Sequence, residues 1–335
     1  MLKKLFIITI RLSLLGLMAM VLALSPNAAL AKTYVLNSLT AWPKSASEAQ
    51  EFLKFIDLAQ KEADQKYPGE LKLVYKGAGE VIKNTEQVEA LRAGLMDMVF
   101  TAGSYYTSIM PEIDIMSLTE KMPWEERADG VFDYLEKLHN QKANGHLLGR
   151  VGAGSLFHLF LSKPIKSVDD MKGLKIRSSA TPVPFLKSVG ASPIGMPPPD
   201  IYTALERNVI DGYILPAETI RDFGLIKPSK YMVFPGFYQP CQYILVNLDK
   251  WKALPDHLKA LLTEQTEKMA HFNIEDKQVL LKEELSAFKK EGMQFIELGP
   301  VEGPRFKKAA DDALAAAISQ KAPQETKKIM EMIMK

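Results

Sequence analysis

One cysteine, Cys241, and five histidines in 335 residues leave little material for two common chemistries. A lone thiol cannot close an internal disulfide, so packing alone must hold the chain together. Cys241 precedes the apolar run Tyr243 to Val246, where a buried core thiol is expected. The histidines, at 139, 146, 158, 257 and 271, show neither H-x-H nor H-E-x-x-H spacing, so no metal centre is expected from them. A G-x-S-x-G nucleophile elbow is also missing. "GAGE" at 77–80 and "GAGS" at 152–155 begin like dinucleotide loops, but the third glycine that brings helix and strand together is absent. Both read as loops at strand ends. No catalytic constellation emerges, and neither an enzyme nor a cofactor is expected.

Long apolar runs are confined to the N-terminus. Lys3 and Lys4 precede the run Leu5 to Leu24, which only Arg11 and small polar residues break, and Ala29-Leu30-Ala31 offers an A-x-A cleavage site. Residues 1–31 read as a secretory signal cleaved after Ala31; a retained anchor is the alternative, and Pro26 flanks it poorly. No later segment approaches the roughly 18 uninterrupted apolar residues of a membrane span. Cys241 lies far from the cleavage point, so no lipid anchor is expected, and the reading is a free, soluble protein outside the cytoplasm. Taking the three leader bases from 42 leaves 39 against 40 acids, a net charge of −1. A near-neutral surface without a basic run argues against nucleic acid and polybasic membrane binding.

What is present is an alternation of short β-branched runs with longer helical patterns, the mark of an α/β chain. Thr33 to Leu39, Leu71 to Tyr75 and "MDMVFTA" at 96–102 read as strands. Between them Ser47 to Lys66 carries Phe52, Phe55, Ile56 and Ala59 on one helical face. "NTEQVEALRAG" at 84–94 suggests a second helix, with Asn84 as N-cap, Gln87 completing a capping box and Gly94 as the stop. Right-handed crossovers then give a mainly parallel sheet whose ligands bind at the strands' carboxyl ends. The pattern repeats from Leu147 with different content, and near "YQPCQYILVN" at 238–247 the chain is expected to cross back. After Pro255 a helical pattern runs through Glu284.

The expected architecture is two α/β lobes around a cleft, with a long helix that could brace both. Lobe I comprises 32–154 plus about 240–270; lobe II comprises 155–239 plus part of the C-terminal helical region. Residues about 271–335 brace the lobes. The cleft is the place for a ligand.

Within "MKGLKIRSSATPVP" at 171–184, a short apolar strand ends in Arg177. A guanidinium at that end of a strand presents a rigid donor fork suited to a carboxylate. From position alone a surface ion pair explains it equally well.

Five segments, in order along the chain, resemble the DctP family, the solute receptors of TRAP transporters. They are "EQVEALRAGLMDMVF" (86–100), "MPE" (110–112), "SKPIKSVDDMKGLKIR" (162–177), "GASPIGMPPPDIYTALERNVIDG" (190–212) and "NLDKWKALP" (247–255). The resemblance implies a periplasmic receptor, monomer or dimer, that closes on an organic acid and delivers it to the small and large membrane subunits of a TRAP permease. It also implies that Arg177 is the carboxylate-binding arginine.

Sialic-acid-binding members carry extra polar groups in the cleft, and the positions aligned with them here are Ala102, Tyr105, Phe157 and Leu215. A buried ligand hydroxyl left unpaired costs about 1–3 kcal/mol, so these walls suit a sugar acid badly. They favour an apolar or aromatic body, at roughly 25 cal/mol per Å². The expected ligand is therefore a monocarboxylate, such as an aryl carboxylate or an aromatic or branched 2-oxo acid. Receptors resembling those for aromatic acids share "GGPEVIP" and "DG..PWE" patterns; here "GAGEVIK" and "DGYILPAE" stand in their place, with Ala217 where the pattern has tryptophan.

Further wall candidates are Trp42, Tyr106, Met196, Phe237, Tyr238 and Gln239, each equally readable as lobe core. Glu80 and Glu218 are candidates for accepting a ligand hydroxyl or amine. Three competing readings stay open: a same-fold sensor for a membrane kinase, a receptor holding a small hydroxy or 2-oxo acid with a metal ion, and a periplasmic enzyme.

Overall fold

The computed structural model describes residues 32–334, so the leader reading of 1–31 lies outside the described residues. Eleven strands follow one another: β1 (Tyr34–Thr40), β2 (Leu71–Gly77), β3 (Met98–Ala102), β4 (Gly145–Val151), β5 (Phe157–Leu161), β6 (Lys175–Ser178), β7 (Ser192–Gly195), β8 (Gly212–Pro216), β9 (Tyr231–Phe237), β10 (Gln242–Asn247) and β11 (Gln294–Glu297). They form two sheets, ordered β2-β1-β3-β10-β4 and β11-β9-β5-β8-β6-β7. In the first, β1 runs parallel to β2 and β3, while β10 is antiparallel to both its neighbours. In the second, β5 is the reversed strand, antiparallel to β8 and β9. Each sheet is thus mainly parallel, with one antiparallel strand.

Those two reversed strands are where the chain changes sheets. It passes from β4 to β5, then returns from β9 to β10. The helix Asp256–Lys290 makes a third connection: it packs on Ser47–Lys66 and β4 at one end and on the 217–223 turn at the other. Its Phe288 is fully buried in the core of the second lobe. The helix Gly299–Lys321 packs on Val183–Ser188 and β9 of the second lobe and on Pro111–Leu118 of the first. Crossing strands and bracing helices together leave a cleft whose floor is chain shared by both lobes.

The helix Ser47–Lys66 forms as its periodicity predicts, burying Phe52, Phe55, Ile56, Ala59 and Ala63 against the first sheet. Phe52 stacks on Phe100 of β3 at 5.3 Å. The second helix differs from expectation: it spans Gln87–Arg92, and Asn84 does not cap it. Gln87 is fully buried and its amide donates to the Thr40 carbonyl at 2.9 Å and the Ile82 carbonyl at 3.1 Å. Closing the end of β1 occupies the side chain that a capping box would need. Gly94 does stop the helix, at φ 73°, with the Leu95 N–H returning to the Ala90 carbonyl.

Beneath the cleft, Arg150 of β4 is fully buried against Glu126: its Nε donates to Oε2 at 2.8 Å, and an NH2 hydrogen reaches the Lys121 carbonyl at 2.8 Å. At the start of β8 a side chain has no room, since a Cβ on Gly212 would stand 2.2 Å from the Phe160 carbonyl oxygen.

Candidate functional site

The strands' carboxyl ends and the loops beyond them enclose a cleft of about 610 Å³, mouth included. Trp42 follows β1, Ala102 ends β3 and Tyr105 sits in the turn after it; these come from the first lobe. Phe157 opens β5 and Leu215 lies near the end of β8, on the facing wall. Trp42 packs on Phe100 at 5.1 Å and on Tyr105 at 6.2 Å, which makes one wall a continuous aromatic surface.

Arg177 reaches this space from the third position of β6. It is 3% exposed, and its Nε donates to the Met196 carbonyl at 3.0 Å while NH1 donates to the Ile214 carbonyl at 3.3 Å. Two neutral carbonyls therefore fix the plane of the guanidinium without neutralising it. Among the described residues no carboxylate forms an ion pair with it; burial pushes its pKa down, with the Tyr105 phenol opposing. A guanidinium stays protonated in proteins, so the cleft holds a fixed, uncompensated cation with N–H donors to spare. Such a group suits a planar anion in two parallel hydrogen bonds.

Of the other residues named from the sequence, Met196 contributes its carbonyl to Arg177 and borders an adjoining mouth with Tyr105 and Ser179, while its side chain packs against the second lobe's core. The remaining candidates sit elsewhere. Tyr106 is 1% exposed and turns under the lobe, its hydroxyl against His139 Nε2 at 3.0 Å. Adjacent residues in the short turn after β3 face opposite ways, so Tyr105 meets the cleft and Tyr106 the core. Phe237 packs edge-on to Phe185 and Phe306, and the Tyr238 hydroxyl donates to the Ala310 carbonyl; both belong to the second lobe's packing against its C-terminal helix. Gln239 is buried at the crossing, its N–H donating to the Ser117 carbonyl at 2.8 Å. Glu80 is exposed and folds back to accept the Ala78 N–H at 2.8 Å. Glu218 is buried and accepts from the Ser155 hydroxyl outside the cleft lining.

The carboxylates that do border the cleft are Glu48 and Asp114, neither of which sequence reasoning singled out. Asp114 lies just after the "MPE" segment, and Glu48 opens the helix that follows Trp42. A helix-start acid reads as a solvated one until the fold buries it. Asp114 of the first lobe accepts from the Thr181 hydroxyl of the second at 2.8 Å, an interlobe bond inside the cleft. Cys241, expected in the core, is buried and also forms part of the cleft wall; burial pushes its thiol up to about 11. No group of three His, Cys, Asp or Glu among the described residues is placed to hold a metal ion.

Burial also holds the Glu48 carboxyl up at about 7, against 4.5 ordinarily, and the Asp114 carboxyl at about 6, against 3.8. In the unfolded chain both ionise at their ordinary values. As pH rises from about 4 to 7 the unfolded state sheds protons that the native state keeps. Stability carried by the neutral forms is complete below that window and lost as pH rises through it. Glu48→Gln is expected to flatten the fall in Tm of the ligand-free protein between about pH 5 and 8, a difference on the order of 2–3 kcal/mol. An unchanged pH slope in the variant would remove Glu48 as its source.

A family model described as bacterial extracellular solute-binding protein, family 7 (DctP), matches residues 40–321. The chain is 26% identical over 240 residues to the monocarboxylate 2-oxoacid-binding periplasmic protein of Nostoc sp., a match covering 68% of this chain and 64% of that relative. Its fold is similar to a TRAP periplasmic solute-binding protein from Desulfovibrio salexigens with bound orotic acid, at TM-score 0.79 and 20% identity, over 90% of this chain and 97% of the other. A marine-metagenome TRAP solute-binding protein specific for aromatic acid ligands, in complex with metahydroxyphenylacetate, superposes at TM-score 0.74 and 22% identity, over 89% and 98%. At these identities the two structures establish the shared two-lobed fold.

Proposed function

The chain belongs to family 7 of the bacterial extracellular solute-binding proteins, the DctP family, and from that premise we propose that it is a TRAP receptor for an organic monocarboxylate with an aromatic or hydrophobic body. The family is one of receptors and not an enzyme class. The observation that carries the ligand reading is Arg177: a buried, oriented guanidinium without an acidic partner among the described residues, facing walls of Trp42, Tyr105, Phe157 and Leu215. The carboxylate pairs with the fork, and the ligand body lies against the aromatic wall.

Relatives named for a monocarboxylate 2-oxoacid and for aromatic acids support the class. Capture in an open form, followed by movement about the two strand crossings, would bury the ion pair in lower dielectric and strengthen it. The closed protein then delivers its ligand to the TRAP membrane subunits in the periplasm. No helix of the described residues is long and apolar enough to cross a membrane.

A thermal-shift panel of aryl carboxylates, aromatic and branched 2-oxo acids, sugar acids and dicarboxylates tests this. Binding of the native state alone at a hundredfold excess over Kd adds about 2.7 kcal/mol, a readily measured rise in Tm. Stabilisation by aromatic or branched monocarboxylates is the expected result. Stabilisation confined to sugar acids or dicarboxylates would overturn the assignment of the ligand body.

A further inference from the structure

Glu48 is an ionisable group in the cleft that the receptor reading leaves without a task. It stands in the first turn of the helix Ser47–Lys66, on the first lobe, 5% exposed, and borders the same cavity as Arg177 of the second lobe. Its side chain meets the Ser47 hydroxyl at 3.5 Å, the outer limit for a hydrogen bond, and its own backbone N–H. The cation facing it is Lys277 of the long helix, which is shared with Glu51 at 3.8 Å, and like charge comes from Glu51 on its own helix and from Asp222 of the 217–223 turn. A helix N-terminus favours a carboxylate, and most in a partly buried setting. Sinking this one into a cleft wall takes it out of bulk water and sets it beside the space that a ligand enters. A buried acceptor without a donor is unfavourable, and a ligand that brings one relieves it. Burial pushes the pKa of the Tyr105 phenol, within the same cavity, up; Arg177 draws it down and Glu48 adds to the rise.

On the premise of the receptor reading above, we propose that Glu48 is a specificity-determining residue, accepting a hydrogen bond from a hydroxyl or N–H donor on the ligand's body. The ligand class narrows accordingly, to monocarboxylates bearing a donor away from the carboxylate. Such a molecule touches Arg177 on one lobe and Glu48 on the other, so its two ends draw the lobes together. A second carboxylate in that place meets like charge and is rejected. A donor-free analogue keeps the Arg177 pair and the aromatic wall but leaves Glu48 unsatisfied.

Isothermal titration at about pH 8 of meta- and para-hydroxyphenylacetate against their fluoro isosteres separates these terms, using the wild type, Glu48→Met and Glu48→Gln. The better hydroxy isomer is expected to bind wild type at least about tenfold more tightly than its fluoro counterpart. In Glu48→Met the ratio should fall to about one, with affinity for the fluoro ligand held or improved. Glu48→Gln, which keeps an acceptor oxygen, should restore part of the ratio and stands in if the Met variant fails to fold. Equal binding of hydroxy and fluoro ligands by wild type, or a ratio that survives in both variants, overturns this inference and leaves the receptor reading in place. Binding of none of the four by wild type overturns the aromatic-acid reading and this inference with it.

Discussion

Arg177→Met is expected to abolish ligand-induced stabilisation while leaving the ligand-free protein as stable as the wild type, or more so. The two halves of that result have one cause. In the free protein Arg177 is a buried cation held by the Met196 and Ile214 carbonyls and balanced by no acid among the described residues, so an apolar side chain of similar length removes a desolvation cost. In the complex the same substitution deletes the fork and strands the ligand carboxylate in a low-dielectric cleft. Truncating one partner of a buried, hydrogen-bonded charge pair costs about 2–5 kcal/mol, or roughly 30- to several-thousand-fold in Kd. Arg177→Lys keeps the charge and loses the planar fork, and should fall between. Calorimetric titration with the best ligand of the thermal-shift panel, alongside Tm values without ligand, checks both halves. A variant that binds as tightly as wild type would move the carboxylate anchor elsewhere. One that loses binding only because its Tm collapses would make Arg177 a structural residue.

Glu126→Ala should have the opposite signature, with a large loss of stability without any ligand. Glu126 and Arg150 are both fully buried, and Arg150 also bonds the Lys121 carbonyl. Removing the acid leaves a guanidinium with its main partner gone, and breaking a buried pair in this way costs about 3–5 kcal/mol. Replacing both residues with methionine removes the unpaired charge as well, so the double variant is expected to recover most of that loss. Urea midpoints of wild type, single and double variants measure it. Should the single and double variants unfold together, the penalty would belong to packing volume, and the ion pair would carry little of it. The position matters for function too, since β4 feeds the first strand crossing and Arg150 lies close to Cys241 in the cleft wall.

Much of this molecule could be read from the chain alone. The helix Ser47–Lys66 follows from Phe52, Phe55, Ile56 and Ala59 at helical spacing, and β1 to β3 follow from short apolar runs punctuated by "YPG" and Gly94. These are local signals: a periodicity or a turn residue acts within a few positions, and neighbouring segments do not have to be known. The return crossing at 238–247 was legible for the same reason, as was a donor fork at the end of "LKIR".

Which side chains share the cleft was decided at another level. Tyr105 and Tyr106 are adjacent and chemically alike, yet one borders the cavity and the other bonds His139 in the core, because the short turn after β3 rotates them to opposite sides. Gln87 looked like a helix cap and instead closes the end of β1, since burial rewards the longer-range partner. Nothing along the chain marks Glu48 and Asp114, acids in the first turns of helical segments, as cleft residues. Burial in the folded chain raises their pKa values, and the meeting of the lobes brings Asp114 onto Thr181. Sequence by itself determined the α/β class, the order of elements and the arginine at the strand end. The tertiary structure decided what surrounds that arginine, because desolvation and convergence of residues far apart along the chain exist only once the lobes meet.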